Sequence, residues 1–153
     1  MTVSKGPLNY STTIEATKSA SECIARLAQH GASAIGITYE NFKPFGLQFQ
    51  ITTPYGPRTF ALPVNARGTH KALQEAYRRG KVPRRATELD QAERVAWRVL
   101  KDWLEAQLAL IEAGVADMAQ VMLPYMQGGD GLTVWQRYLE REQSLALPAG
   151  EAL

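Results

Sequence analysis

Arg78, Arg79, Lys81, Arg84 and Arg85 place five positive charges within eight residues. Arg94, Arg98 and Lys101 follow at i, i+4 and i+7, a spacing that puts them on one face of a helix. Such a surface suits phosphates, because each one neutralised releases condensed counterions from a nucleic acid. Arginine adds a planar fork for phosphate oxygens and a plane for stacking on bases. Tyr39, Phe42, Phe45 and Tyr55 are aromatics that could stack, the last three in turns between strand-like stretches. The plainer reading of the same charges is a solvated helix corner, and Phe42 and Phe45 could instead fold back onto the core.

Catalytic chemistry has less to work with. The two histidines, His30 and His70, stand in no nucleophile spacing with each other or with Cys23. His30 precedes Gly31, where an imidazolium suits a helix C-terminus, and His70 reads as a packing residue. Cys23 lies on an apolar stripe and reads as core. No C-x-x-C, H-E-x-x-H or EF-hand spacing occurs, so neither a metal nor a cofactor is expected. Gln127–Gly131 (QGGDG) lacks the Lys-Ser/Thr of a phosphate loop, which leaves Asp130 to turn chemistry. Asp90 with Glu93, and Asp102 with Glu105, are i,i+3 acidic pairs interleaved with arginine, as on a salt-bridged helix face.

The elements that must position these residues follow from periodicity. Tyr10–Ile14 has strand composition, and Ser19 with Glu22 fits a capping box that opens a first helix ending at Gly31. Three stretches then alternate with a period of two: Ile35–Glu40, Leu47–Thr52 and Phe60–Leu62. Asn41–Gly46 and Thr53–Pro57 connect them with hairpin residues, predicting an antiparallel meander. Asn65 caps a helix from Ala66 to Arg79, whose Leu73, Ala76 and Tyr77 should face the sheet. A basic linker, Lys81–Arg85, leads to a long helix capped by Thr87 with Asp90 and ended at Gly114. Trp97 lies at the edge of its apolar stripe, so an exposed Trp97 would mark a subunit contact. Short helices near Met118–Tyr125 and Val134–Glu142 close the chain.

With 153 residues, 45% apolar and 21% charged, the chain fits one globular domain that needs no staples. A single cysteine favours a reducing, cytoplasmic setting, and no apolar run approaches membrane-spanning length. Net charge is +2, distributed as +2 over 1–65, +4 over 66–105 and −4 over 106–153. Residues 1–9 read as a flexible leader, 10–144 as the domain and 145–153 as a flexible tail.

Several segments resemble a family of small phage and prophage proteins. They are Thr12–Ile14, His30–Ala32, Ile51–Gly56, Leu62–Asn65, Trp97–Trp103 with Ala106-Gln107, and Leu123–Tyr125, so the likeness runs from Tyr10 to Tyr138. The resemblance implies one domain architecture and a mobile-element origin. It brings no catalytic residues.

The expected fold is α+β: an N-terminal helix and a three-stranded antiparallel meander packed against a C-terminal helical part with one long helix. The expected function is non-enzymatic: a phage-type nucleic-acid-binding accessory of DNA replication or recombination. Arg78, Arg79, Lys81, Arg84, Arg85, Arg94, Arg98 and Lys101 would neutralise phosphates of single-stranded or duplex nucleic acid. The alternative is an adaptor or inhibitor that binds a host or phage protein. A homo-oligomer is compatible with either.

Overall fold

A computed structural model describes residues 6–145. Residues 1–5 of the expected leader and 146–153 of the expected tail lie outside them. Helix α1 (Ala16–Gln29) leads into strands β1 (Ala34–Glu40), β2 (Lys43–Thr53) and β3 (Gly56–Pro63). These form one antiparallel sheet in the order β1-β2-β3. Helix α2 (Ala66–Arg78), a 3-10 turn (Arg84–Thr87) and the long helix α3 (Leu89–Glu112) follow. Helix α4 (Met118–Met122), a second 3-10 turn (Leu123–Tyr125) and α5 (Val134–Leu145) end the described chain. The fold is α+β, with the expected meander and the expected long helix.

Alternation decides the sheet's inner face. Leu47 and Phe49 of β2 pair across from Leu62 and Phe60 of β3, and all four are buried. They pack with Ala20, Cys23 and Leu27 of α1, with Trp97, Leu104 and Leu108 of α3, and with Met122. Phe49 and Phe60 stack at a centroid separation of 5.2 Å. The outer face carries Gly36, Thr38, Gly46, Gln48, Gln50 and Ala61, which are small or polar and so need no covering layer. At the sheet margin, Gln127 N–H donates to the Thr59 carbonyl at 2.8 Å, so Met126-Gln127 caps the free side of β3.

Four expectations about the elements fail, each for a tertiary reason. Tyr10–Ile14 is not a strand: it turns, and the Gln91 side chain donates to the Tyr10 and Thr12 carbonyls. Helix α1 starts at Ala16 rather than Ser19. Ser19 is buried in the helix interior, and Glu22, the other half of the supposed capping box, is taken by Arg98. The first hairpin turn holds only Asn41 and Phe42, so Lys43–Gly46 belongs to β2. The register steps from Thr38↔Gly46 to Tyr39↔Pro44, leaving Phe45 as the extra residue of a bulge. Finally, α3 begins at Leu89 with Glu88 as N-cap, because Thr87 ends the 3-10 turn and its hydroxyl donates to the Arg84 carbonyl.

Helix α2 does not face the sheet. Leu73 and Ala76 pack with Val82, Ala86, Ala92 and Val95, a second core against the first turns of α3, and Tyr77 is left half-exposed. Trp97 is fully buried and is a core residue, so it does not present its ring for the subunit contact that an exposed Trp97 would mark. Its indole N–H donates to the Pro44 carbonyl at 2.7 Å, next to the bulge.

Candidate nucleic-acid interface

The basic corner is built by α2 and the turn after it. Asn65 caps α2, its side-chain oxygen accepting from Gly68 N–H at 2.8 Å. Gly80 (φ 70°) ends the helix in the left-handed conformation, and Lys81 N–H bonds back to the Ala76 carbonyl. Pro83 then redirects the chain into the 3-10 turn that carries Arg84 and Arg85. His70 holds this turn, because its Nε2–H donates to the Thr87 carbonyl at 2.7 Å. That half-buried imidazole is therefore a brace for the corner.

The eight expected cations separate into two groups. Arg84 and Arg85 are exposed and meet no carboxylate among the described residues. Arg78 and Arg79 are exposed but share Glu75, at 3.5 and 3.0 Å. Such exposed pairs are weak and can give way to a phosphate. Lys81 is half-buried beside them.

The stripe on α3 does not join this surface. Arg94 pairs with Glu15 at 3.3 Å, and Arg98 with Glu22 at 2.8 Å. Lys101 reaches Glu105 at 3.0 Å, Asp102 at 3.7 Å and Glu22 at 3.9 Å. Arg98 is only 6% exposed. Further along, Arg26 and His30 of α1 both reach Glu112 of α3. Helix α1 thus lies along the face where Arg94, Arg98 and Lys101 were expected to meet phosphate, and these cations bind it by a ladder of ion pairs. All three of these expected phosphate contacts are thus engaged by carboxylates, and Arg98 is the most deeply buried of them.

Two contributors were missed. Arg67 and Lys71 fall with Arg78 at i, i+4 and i+11, a line along the exposed side of α2, and both are without a carboxylate among the described residues. The spacing was readable in the sequence. These charges are dispersed along the helix, whereas those of Arg78–Arg85 are clustered. Residues 66–87 hold seven basic side chains against one acidic, a net +6, while the other positions hold ten against fourteen, a net −4. The positive charge is therefore most concentrated in α2 and its corner.

The expected aromatic platform is also divided. Phe42 at one hairpin tip is 100% exposed and Tyr55 at the other is 85% exposed. They stand at opposite ends of the 11-residue strand β2, which spans roughly 35 Å at about 3.4 Å per residue. Phe42, Phe45 and Tyr39 share one end. Asn41, Lys43 and Phe45 line a cleft of about 540 Å³ together with Arg67 and His70 of α2. Lys43 is engaged there by Asp90 at 2.7 Å and Glu93 at 3.3 Å. The hydrogen bond to Asp90 raises the lysine's pKa and lowers that of Asp90.

Other reactive groups are quiet. Burial pushes the Cys23 thiol up to about 12, so it is not a thiolate at neutral pH. Asp130 accepts from Leu132 N–H and Arg137, which lower its pKa and make it a turn residue. Among the described residues no group of three or more His, Cys, Asp or Glu comes together to hold a metal. No helix among them is long and apolar enough to cross a membrane.

The ion-pair ladder has a pH signature. The hydrogen bond from Arg98 holds Glu22 below its ordinary value of 4.5, against an opposing effect of burial. A carboxylate lowered in the fold stabilises above its unfolded pKa and loses that contribution as pH falls through the folded one. Unfolding free energy should therefore hold steady down to about pH 5 and decline below 4.5. Glu22→Gln should lower the neutral-pH stability by about 2 kcal/mol and flatten part of the acid decline. Urea titrations across that range measure both.

No family model matches the chain, and no curated protein or solved structure matches it.

Proposed function

We propose that the protein binds nucleic acid without catalysing a reaction, as a phage-type accessory of DNA replication or recombination. Phosphates would be gripped along α2 and its corner by Arg67, Lys71, Arg78, Arg79, Arg84 and Arg85. The observation that carries this reading is the net +6 of residues 66–87 in a chain otherwise at −4, with four of its cations free of carboxylates among the described residues. The phage-type assignment rests on the sequence resemblance alone. Contacts of this kind read the backbone and carry no base sequence.

The test is binding to fluorescent single-stranded and duplex oligonucleotides at two salt concentrations. With about four phosphate contacts, affinity should fall on the order of a hundredfold between roughly 50 and 200 mM salt. Absence of binding at the lower salt overturns the proposal.

A second reading, a protein-binding adaptor or inhibitor, is supported by α5. Val134, Trp135, Tyr138 and Leu139 recur along one side of this helix and stay partly exposed, with Trp135 and Tyr138 stacked at 5.4 Å. Aromatics displayed in this way are common at protein interfaces. A stoichiometric protein complex that is insensitive to salt would favour it.

A further inference from the structure

We infer that the nucleic acid held by α2 is a single strand, and that Phe42 stacks on one of its bases; this rests on the phosphate-binding reading above. Asn41 and Phe42 form the two-residue turn between β1 and β2 with φ of 50° and 64°. Both angles are positive, as the turns that match strand twist require. Asparagine is at home there, but a bulky side chain is not, and glycine would fit without strain. Phe42 is also wholly exposed, so its ring gains nothing from burial in the fold. The position thus carries a residue that folding disfavours on both backbone and solvation grounds. An exposed aromatic held in that conformation is understandable if the ring meets a ligand.

Its surroundings point to which ligand. The residues on either side of Phe42, Asn41 and Lys43, line the same cleft as Arg67, the first cation of the α2 line. Phe45, pushed out by the bulge, lines that cleft too. Glu40 and Glu93 are the acids of the cleft, and Lys43 is shared between Glu93 and Asp90. From Arg67 the cations continue through Lys71 to Arg78 over about 16 Å of helix, the eleven residues rising about 1.5 Å each. Phosphates laid on this line bring a base within reach of the hairpin tip. In a duplex the ring faces are covered by the base pairs stacked above and below, whereas an unpaired base offers an open face. The aromatic tip beside a cationic track therefore selects a single strand, and stacking accepts any base.

The experiment measures fluorescence anisotropy of a labelled oligothymidylate strand and of a duplex of equal length. The proteins are wild type, Phe42→Gly, Phe42→Trp and Arg67→Glu/Lys71→Glu. Phe42→Gly suits the turn, so its melting temperature should match or exceed wild type and loss of binding cannot be ascribed to misfolding. It should weaken the strand roughly tenfold while leaving the salt slope and duplex affinity unchanged. Phe42→Trp should retain the strand, and the double reversal should weaken both forms and shallow the salt slope. If Phe42→Gly binds the strand like wild type, or wild type binds duplex as tightly as strand, the single-strand inference is overturned while the phosphate reading survives. If wild type binds neither form at low salt, both fall.

Discussion

Replacing Trp97 with alanine should cost about 3–5 kcal/mol of folding stability, a large fraction of the roughly 5–15 kcal/mol that holds such a domain together. Trp97 is fully buried at the junction of α3 with the sheet, among Phe49, Phe60 and Leu104 of one core. Truncation leaves a large void that the surrounding strands and helices cannot collapse to fill. The indole also has a polar task, since it donates to the Pro44 carbonyl at 2.7 Å. Pro44 lies beside the bulge that turns Phe45 outward, so the same bond fixes how the β1–β2 hairpin leaves the core. Trp97→Phe separates the two contributions. It keeps most of the ring volume but leaves a buried carbonyl without its donor, and should cost about 1–3 kcal/mol. Urea unfolding followed by circular dichroism gives both values. Hydrogen exchange over residues 41–46 should rise in Trp97→Phe even where global stability holds. A cost below about 1 kcal/mol for Trp97→Ala would show that the indole does not close this core.

The second large effect concerns binding. Arg84→Glu with Arg85→Glu should reduce nucleic-acid affinity on the order of a hundredfold at low salt and lessen the salt slope by about two. Both side chains are exposed on the 3-10 turn and meet no carboxylate among the described residues, so on the proposed reading reversal removes two phosphate contacts and adds two repulsions. The fold should be indifferent, with a change within about 0.5 kcal/mol, as for surface positions outside any network. Arg98→Met is the opposite control. It removes a buried cation from Glu22 and so alters stability, yet the folded fraction should bind nucleic acid like wild type. If Arg98→Met and the double reversal weakened binding equally, the division of the cations into a ladder and an interface would be wrong. Unchanged binding by the double reversal would remove the corner from the interface.

The comparison between Arg84 and Arg98 shows where sequence reasoning stops. Both are arginines of one basic constellation, Arg84 in the linker after Pro83 and Arg98 on the long helix, and the sequence alone does not say which of them a carboxylate reaches. The difference is α1, whose Glu15 and Glu22 come from far earlier in the sequence and occupy the α3 face. Ser19 and Glu22 make the same point. Their S-x-x-E pattern is what a capping box requires, but a closer partner for Glu22 arrives from α3, and the helix starts a turn earlier.

By itself the sequence determined what depends on local physics. Alternation with a period of two specified the antiparallel meander and its buried Leu47, Phe49, Phe60 and Leu62, but not that Tyr39, in phase with Ile35 and Ile37, would lie exposed beyond the register shift. Helical periodicity specified α2, the long α3 and the short C-terminal helices, and Asn65 and Gly80 marked the ends of α2. Charge counting located the positive field in the middle of the chain, because net charge needs no coordinates. The tertiary structure decided what depends on which faces meet. It placed α2 on α3 rather than on the sheet, closed Trp97 over Pro44, enlisted Arg94, Arg98 and Lys101 in holding α1, and left Arg67 and Lys71 in line with the corner. Which carboxylate reaches a charged side chain, and how deeply the pair is buried, is a property of distance in space that the order of residues does not carry.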